Sequence, residues 1–202
     1  GPMGKRLSRL WPYAAIGAVW MAVYRLLGYG TRGSGIYVSP LDEPVRFLGA
    51  LAERMPVLLL AQAGGFVSDL WLVIPPWAQL VVHGVALALL VTAAWLLRPL
   101  WLRDPVARFW SLGLLLATVP VTATFPMDRL LVFTGVGAMA LVAQLLSNAL
   151  ERGDPAGPAR RRVLQISAIV LVLVHLVVAP LALPLRALTV HLLNAWTAQA
   201  TG

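Results

Sequence analysis

Two places in this chain set groups that could do chemistry side by side. Asp42 and Glu43 form an adjacent acidic pair between Pro40 and Pro44. Paired carboxylates can hold a divalent cation, and one of them can serve as a general base. The same pair also suits a helix start, where negative charge faces unpaired backbone N–H groups. With no further spaced ligand, capping is the simpler reading. The second place is Asp128-Arg129, in a tight turn after Pro126. A catalytic role, if the chain has one, falls to Asp42, Glu43 or Asp128. Arg25, Arg32 and Arg129 are the candidate ligand-binding residues, because a guanidinium offers a fork of donors to phosphate. Each also has a plainer role. Arg25 can snorkel to headgroups from the end of an apolar run, and Asp128-Arg129 can form a solvated turn.

Other polar residues carry weaker signals. His83 and His175 lie inside apolar runs without the i, i+4 spacing of a helical metal pair. Neutral histidine can instead hydrogen-bond between helices, as can Gln144, Thr118, Thr122 and Thr124. The chain has no cysteine, which excludes disulfides and thiol catalysis. No metal site and no cofactor is expected. Gly33-Ser34-Gly35 invites comparison with rhomboid-type serine proteases, but the motif is incomplete and no suitably placed histidine follows. Residues 30–35 also lack the Lys-Ser/Thr ending and the strand context of a phosphate loop.

The elements that must position these residues are apolar stretches of near bilayer-crossing length. They cover residues 11–27, 77–97, 109–125, 130–148 and 163–183. A bilayer core needs about 20 apolar residues in a helix. The chain is 59% hydrophobic and 12% charged, with a mean hydropathy of +0.80. A soluble domain carries roughly 25% charged residues, and one of this size could not hide so much apolar surface. The pattern predicts an all-α, polytopic membrane helix bundle with five transmembrane helices and the lipid bilayer as its solvent. Residues 44–55 space their apolar side chains on one helical face, as in a surface-lying helix. Residues 55–74 are apolar but hold Pro56, Gly64-Gly65 and Asp69, so the 44–76 region reads as amphipathic or re-entrant helices. Ala14, Ala18 and Ala22 place small side chains where another helix could approach. Pro120 should kink the third span. Residues 185–199 read as a weakly amphipathic C-terminal helix.

Net charge is +8, from 15 arginines and one lysine against 8 acids. The basic residues sit at the ends of apolar runs, where the positive-inside rule and lipid headgroups account for them. Nucleic acid is therefore not an expected partner. Five spans with the N-terminus inside put ten basic residues on the inner side and five on the outer. Six spans with the N-terminus outside give the same count, but Gly64-Gly65 and Asp69 interrupt the extra span. Five spans place residues 28–76 and Asp128-Arg129 together on the outer side. Gly1-Pro2 ahead of Met3 reads as a tag scar, and residues 3–202 as one transmembrane domain or part of a longer chain. Abundant Arg, Ala, Leu, Gly and Pro suggest a GC-rich bacterial genome, hence a bacterial inner membrane.

Tyr24-Arg25-Leu26-Leu27-Gly28-Tyr29-Gly30 resembles a span end in bacterial polytopic proteins of the glycosyltransferase C superfamily, where a tyrosine and an arginine precede a glycine-rich outer loop. Gly33-Ser34-Gly35, Asp42-Glu43-Pro44 and the run from Thr124 through Asp128-Arg129 to Leu130 look similar to uncharacterised bacterial membrane proteins. The resemblance implies a catalytic carboxylate in the first large outer loop, at Asp42 or Glu43. Three functions follow as expectations. The first is a non-catalytic membrane module that binds lipid, such as an anionic headgroup, or a protein partner through its outer face. The second is a transferase acting on a lipid-linked anionic substrate, and the third a small transporter using His83, His175 and Gln144. No internal repeat supports the transporter.

Overall fold

The computed structural model describes residues 4, 8–29, 37–150 and 157–184. Arg32, the glycine-rich loop around it, and the expected helix at 185–199 lie outside the described residues. All regular structure among the described residues is helical.

Helix α1 spans Trp11–Leu26. Gly28 ends it with a φ of 73°, and Tyr29 N–H reaches back to Tyr24 O at 3.1 Å. This is the left-handed glycine closure that absorbs the last carbonyls of a helix. No residue of α1 is buried, so the expected close approach at Ala14, Ala18 and Ala22 is not made within the described residues. The stretch is apolar all round, which explains why spacing alone gave no partner for that face.

Helix α2 spans Pro44–Gln62, with Pro44 in its first turn, where the missing N–H matters least. It is one helix of 19 residues that runs on past residue 55. Pro56 lies inside it without ending it. Val57, Leu58, Leu59 and Leu60 are all buried, so α2's second half is core and not a surface strip. Gly64, at φ 78°, closes α2 in the same manner as Gly28 closes α1. A Cβ on Gly64 would overlap Val174 Cγ1, so the end of α2 packs directly on a later helix.

The 3₁₀ turn Ser68–Leu72 follows and buries Trp71. Pro75 is extended, and Pro76 opens α3, Pro76–Arg103. At 1.5 Å per residue its 28 residues reach about 42 Å. Asp104 alone separates α3 from α4, Pro105–Val121, and its Oδ1 accepts the Val106 N–H at 2.8 Å. Residues 98–108, which separate the apolar runs 77–97 and 109–125, are thus mostly helical. Pro120 sits one residue from the end of α4 and stops the helix instead of kinking its middle.

A second 3₁₀ turn, Asp128–Leu131, runs straight into α5, Val132–Leu150. The last helix, α6, begins at Pro158–Leu173, continues through a π turn at Val174–Val178, and remains helical to Pro184. The tightest pairing is α4 on α5. A Cβ on Gly137 would lie 3.0 Å from the Leu114 backbone nitrogen, so only glycine admits this approach. One core cluster joins Leu96, Leu97, Leu141, Leu145 and Leu164 near the Asp104 end of the bundle. Arg160, only 4% exposed, donates there from Nη2 to Leu96 O. The three consecutive arginines Arg160, Arg161 and Arg162 therefore differ in place, because Arg160 turns inward while Arg162 is exposed.

Among the described residues three helices are long and apolar enough to cross a membrane: Pro76–Arg103, Asp128–Leu150 and Pro158–Pro184. Pro105–Val121 is apolar but shorter. Their outward surfaces are apolar, with Val91, Phe109, Phe133 and Ile166 all exposed. Contiguous exposure on this scale suggests a membrane protein, since water would penalise it.

Candidate functional site

The two 3₁₀ turns meet at one end of the bundle, and the Asp128 side chain ties them. Asp128 Oδ1 accepts the Ser68 backbone N–H at 2.9 Å and the Ser68 hydroxyl at 2.6 Å. Ser68 is fully buried. A carboxylate oxygen that accepts two short bonds is fixed in direction. The turns themselves follow from sequence. Gly64-Gly65 breaks α2, and Pro75-Pro76 forbids any longer helix before α3. Pro126 is buried and Met127 is extended, which delivers Asp128 to the start of its turn.

Asp69, Met127, Asp128 and Arg129 line a cavity of about 430 Å³ at this junction. Asp69 and Arg129 are exposed and Asp128 is half-buried. Directly beside these residues in the chain, apolar side chains face outward: Leu70, Leu72, Val73, Val132 and Phe133. Phe133 is 81% exposed and Val132 70%, at the very start of a helix of crossing length. A charged cavity therefore stands next to an apolar belt.

A polar network lies behind the first turn. Trp71 Nε1 donates to Glu53 Oε1 at 3.3 Å, and Gln79 Nε2 donates to Trp71 O at 3.1 Å. His83 Nε2 lies 2.7 Å from Glu53 O, and its Nδ1 lies 3.3 Å from Gln79 O. Its ring meets Trp71 edge-on, with centroids 4.9 Å apart. Arg54 Nη1 donates to Thr122 O at 3.0 Å and so ties α2 to the end of α4. His83 thus joins α2 to α3 through backbone carbonyls. Among the described residues no three His, Asp or Glu side chains are grouped to hold a metal ion.

The candidate residues read from sequence fall into separate places. Asp128 and Arg129 line the cavity together with Asp69. Asp42 accepts the Ser39 hydroxyl at 2.7 Å, a bond within its own turn. Glu43 occupies the N-cap position of α2 without a side-chain capping bond, and pairs with Arg46 at 3.0 Å. Neither Asp42 nor Glu43 lines the cavity. Arg25 sits in the last turn of α1, a helix with no buried residue. His175 Nδ1 lies 2.9 Å from Leu171 O, within its own helix.

His83 hydrogen-bonds between helices, as its place in an apolar run allowed, whereas sequence reasoning missed Ser68 and the His83 neighbours Glu53, Trp71 and Gln79. Gln79 and His83 stand four apart on one helix, which was a readable signal. The approach of Glu53 and Trp71 depends on the fold of residues 63–75 and left no local mark. Comparison with known proteins yields no matching family model, no matching curated protein and no matching solved structure.

Proposed function

We propose that this chain is a multi-pass integral membrane module of the bacterial inner membrane. It crosses five times with its N-terminus inside. It binds a phospholipid headgroup at the end that carries the two 3₁₀ turns, and performs no catalysis of its own. The observation that carries this reading is the juxtaposition of the Asp69–Asp128–Arg129 cavity with the exposed apolar belt of Leu72, Val73, Val132 and Phe133. Arg129 is exposed at that border, where a guanidinium meets lipid phosphate.

The transferase reading has less support. Its carboxylates, Asp42 and Glu43, engage Ser39 and Arg46 and do not line the cavity. Asp128 does line it, but its Oδ1 serves as a structural acceptor for Ser68. The test is lipid retention by the full chain purified in mild detergent, read by native mass spectrometry. Phospholipid adducts should weaken in Arg129→Gln and persist in Arg46→Gln. Equal retention by both variants would remove the cavity from the account. The N-inside, five-span arrangement predicts that single cysteines at Leu41 and Ala159 label from opposite sides of the membrane, and labelling from one side would overturn it.

A further inference from the structure

The end of the bundle that holds Asp104 carries a surplus of positive charge. Across residues 98–108 and 151–162 the sequence has seven arginines and three acids. Arg98, Arg103, Arg108 and Arg162 are exposed and Arg161 is half-buried. Among the described residues none of these five takes part in a salt bridge. Asp104, the described acid at this end, is already engaged. Its Oδ1 accepts the Val106 N–H at 2.8 Å and its Oδ2 accepts from Gln144 Nε2 at 3.3 Å. The 3₁₀ end differs, with Glu53, Asp69 and Asp128 present alongside Arg54 and Arg129.

Three of the exposed arginines stand at one level on three helices. Arg160 donates to Leu96 O, which sets the start of α6 beside the last turns of α3. At 1.5 Å per residue, Arg98 lies about 8 Å from the end of α3, Arg108 about 5 Å from the start of α4 and Arg162 about 6 Å from the start of α6. The headgroup layer on each side of a bilayer core is about 5–8 Å deep. One turn nearer the bundle middle, each arginine has an exposed apolar neighbour: Trp95 on α3, Leu112 on α4 and Ile166 on α6. Residues three or four apart share a helical face. Each face therefore passes from apolar surface to guanidinium, as a snorkelling arginine requires. Nucleic acid or an acidic protein would cover the guanidinium groups and leave the apolar side chains bare, whereas lipid covers both. A zwitterionic headgroup would also bring an ammonium against this positive surface, which favours a lipid of net negative charge. We propose that the Asp104 end binds net-anionic phospholipid, with Arg98, Arg108 and Arg162 meeting lipid phosphates. This rests on the membrane reading above and not on the cavity at the other end.

The experiment presents the full chain in mild detergent with equimolar phosphatidylglycerol and phosphatidylethanolamine, and reads bound lipid by native mass spectrometry. The wild type should retain phosphatidylglycerol above phosphatidylethanolamine. A triple variant, Arg98→Gln with Arg108→Gln and Arg162→Gln, should lose that preference by up to about fivefold for each arginine removed. The same three positions changed to Lys keep their charge and should keep the preference. Arg129→Gln should keep it too, because Arg129 lines the cavity at the 3₁₀ end. Equal retention of the two lipids by the wild type, or a preference unchanged in the Gln variant, would refute the proposal; adducts that still weaken in Arg129→Gln would then leave the cavity reading standing. Loss of the preference in the Lys variant would refute the charge argument. Loss in Arg129→Gln, with the triple Gln variant unchanged, would refute the proposal by placing anionic binding in the cavity. Displacement of phosphatidylglycerol by poly-glutamate at equal charge would refute the lipid source in favour of an acidic protein.

Discussion

Ser68→Ala should be among the more costly single-atom deletions in this protein. Ser68 is fully buried and gives Asp128 Oδ1 both a backbone N–H at 2.9 Å and a hydroxyl at 2.6 Å. The substitution removes the shorter bond and keeps the backbone one. A hydrogen bond to a charged group contributes about 1.5–3 kcal/mol. The loss should therefore fall in that range, toward its lower end because Asp128 is half-buried. For a chain of this size, this corresponds to a melting midpoint lower by about 3–12 °C. The assay is thermal unfolding in detergent followed by tryptophan fluorescence, with Trp71 only three residues from the change. Asp128→Asn keeps an acceptor oxygen and should lose less than Asp128→Ala, which strands both Ser68 donors. Ser68→Ala and Asp128→Ala together should lose less than the sum of the two alone. A Ser68→Ala midpoint within 1 °C of wild type, on the order of 0.3 kcal/mol, would refute the clamp that shapes the cavity.

Three further outcomes test the packing that presents this end of the bundle. Gly64→Ala forces a side chain at φ 78° into Val174; it should cost at least about 1–2 kcal/mol, while Gly17→Ala, which meets nothing within 4 Å, should be neutral or slightly stabilising in the same melts. Gly137→Ala should push α5 off the Leu114 backbone and cost about 1–3 kcal/mol as overpacking, with the loss visible as a lowered midpoint and faster exchange of α4 amides. Arg160→Gln should destabilise far more than Arg162→Gln, because Arg160 is buried and donates to Leu96 O; equal melting of the two variants would contradict the inward position of Arg160.

Much of the helical layout was legible because apolar runs and prolines act locally. Pro44, Pro76, Pro105 and Pro158 each fall in the first turn of a helix, where the ring's fixed φ suits the backbone. The apolar runs at 77–97, 130–148 and 163–183 lie within the three long helices. What was not legible depends on contacts distant in sequence. Val57–Leu60 read as a broken membrane stretch, yet they form core because α3, α4 and α5 close around them. Arg160 is the first of three consecutive arginines, and only the nearness of Leu96 singles it out.

The candidate site shows the same division. Asp69, Asp128 and Arg129 were placed on one side by counting spans, a rule about charge and length that needs no contacts. Their closure into one cavity comes from Ser68, a small polar residue that carries no signature of its own. Asp42 and Glu43 drew attention because they are adjacent, but adjacency serves local needs here. Ser39 and Arg46, each three residues from its partner, satisfy them.

The central claim is that the cavity stands at a membrane boundary, with charge on its water side and Phe133 in lipid. The absence of native cysteine permits single spin labels. The decisive measurement is the collision of labels at Phe133→Cys and Asp69→Cys with oxygen and with a water-soluble nickel chelate, in reconstituted bilayers. The account predicts that the label at 133 collides with oxygen and is shielded from nickel, and that the label at 69 shows the reverse. Equal access of nickel to both positions would contradict it.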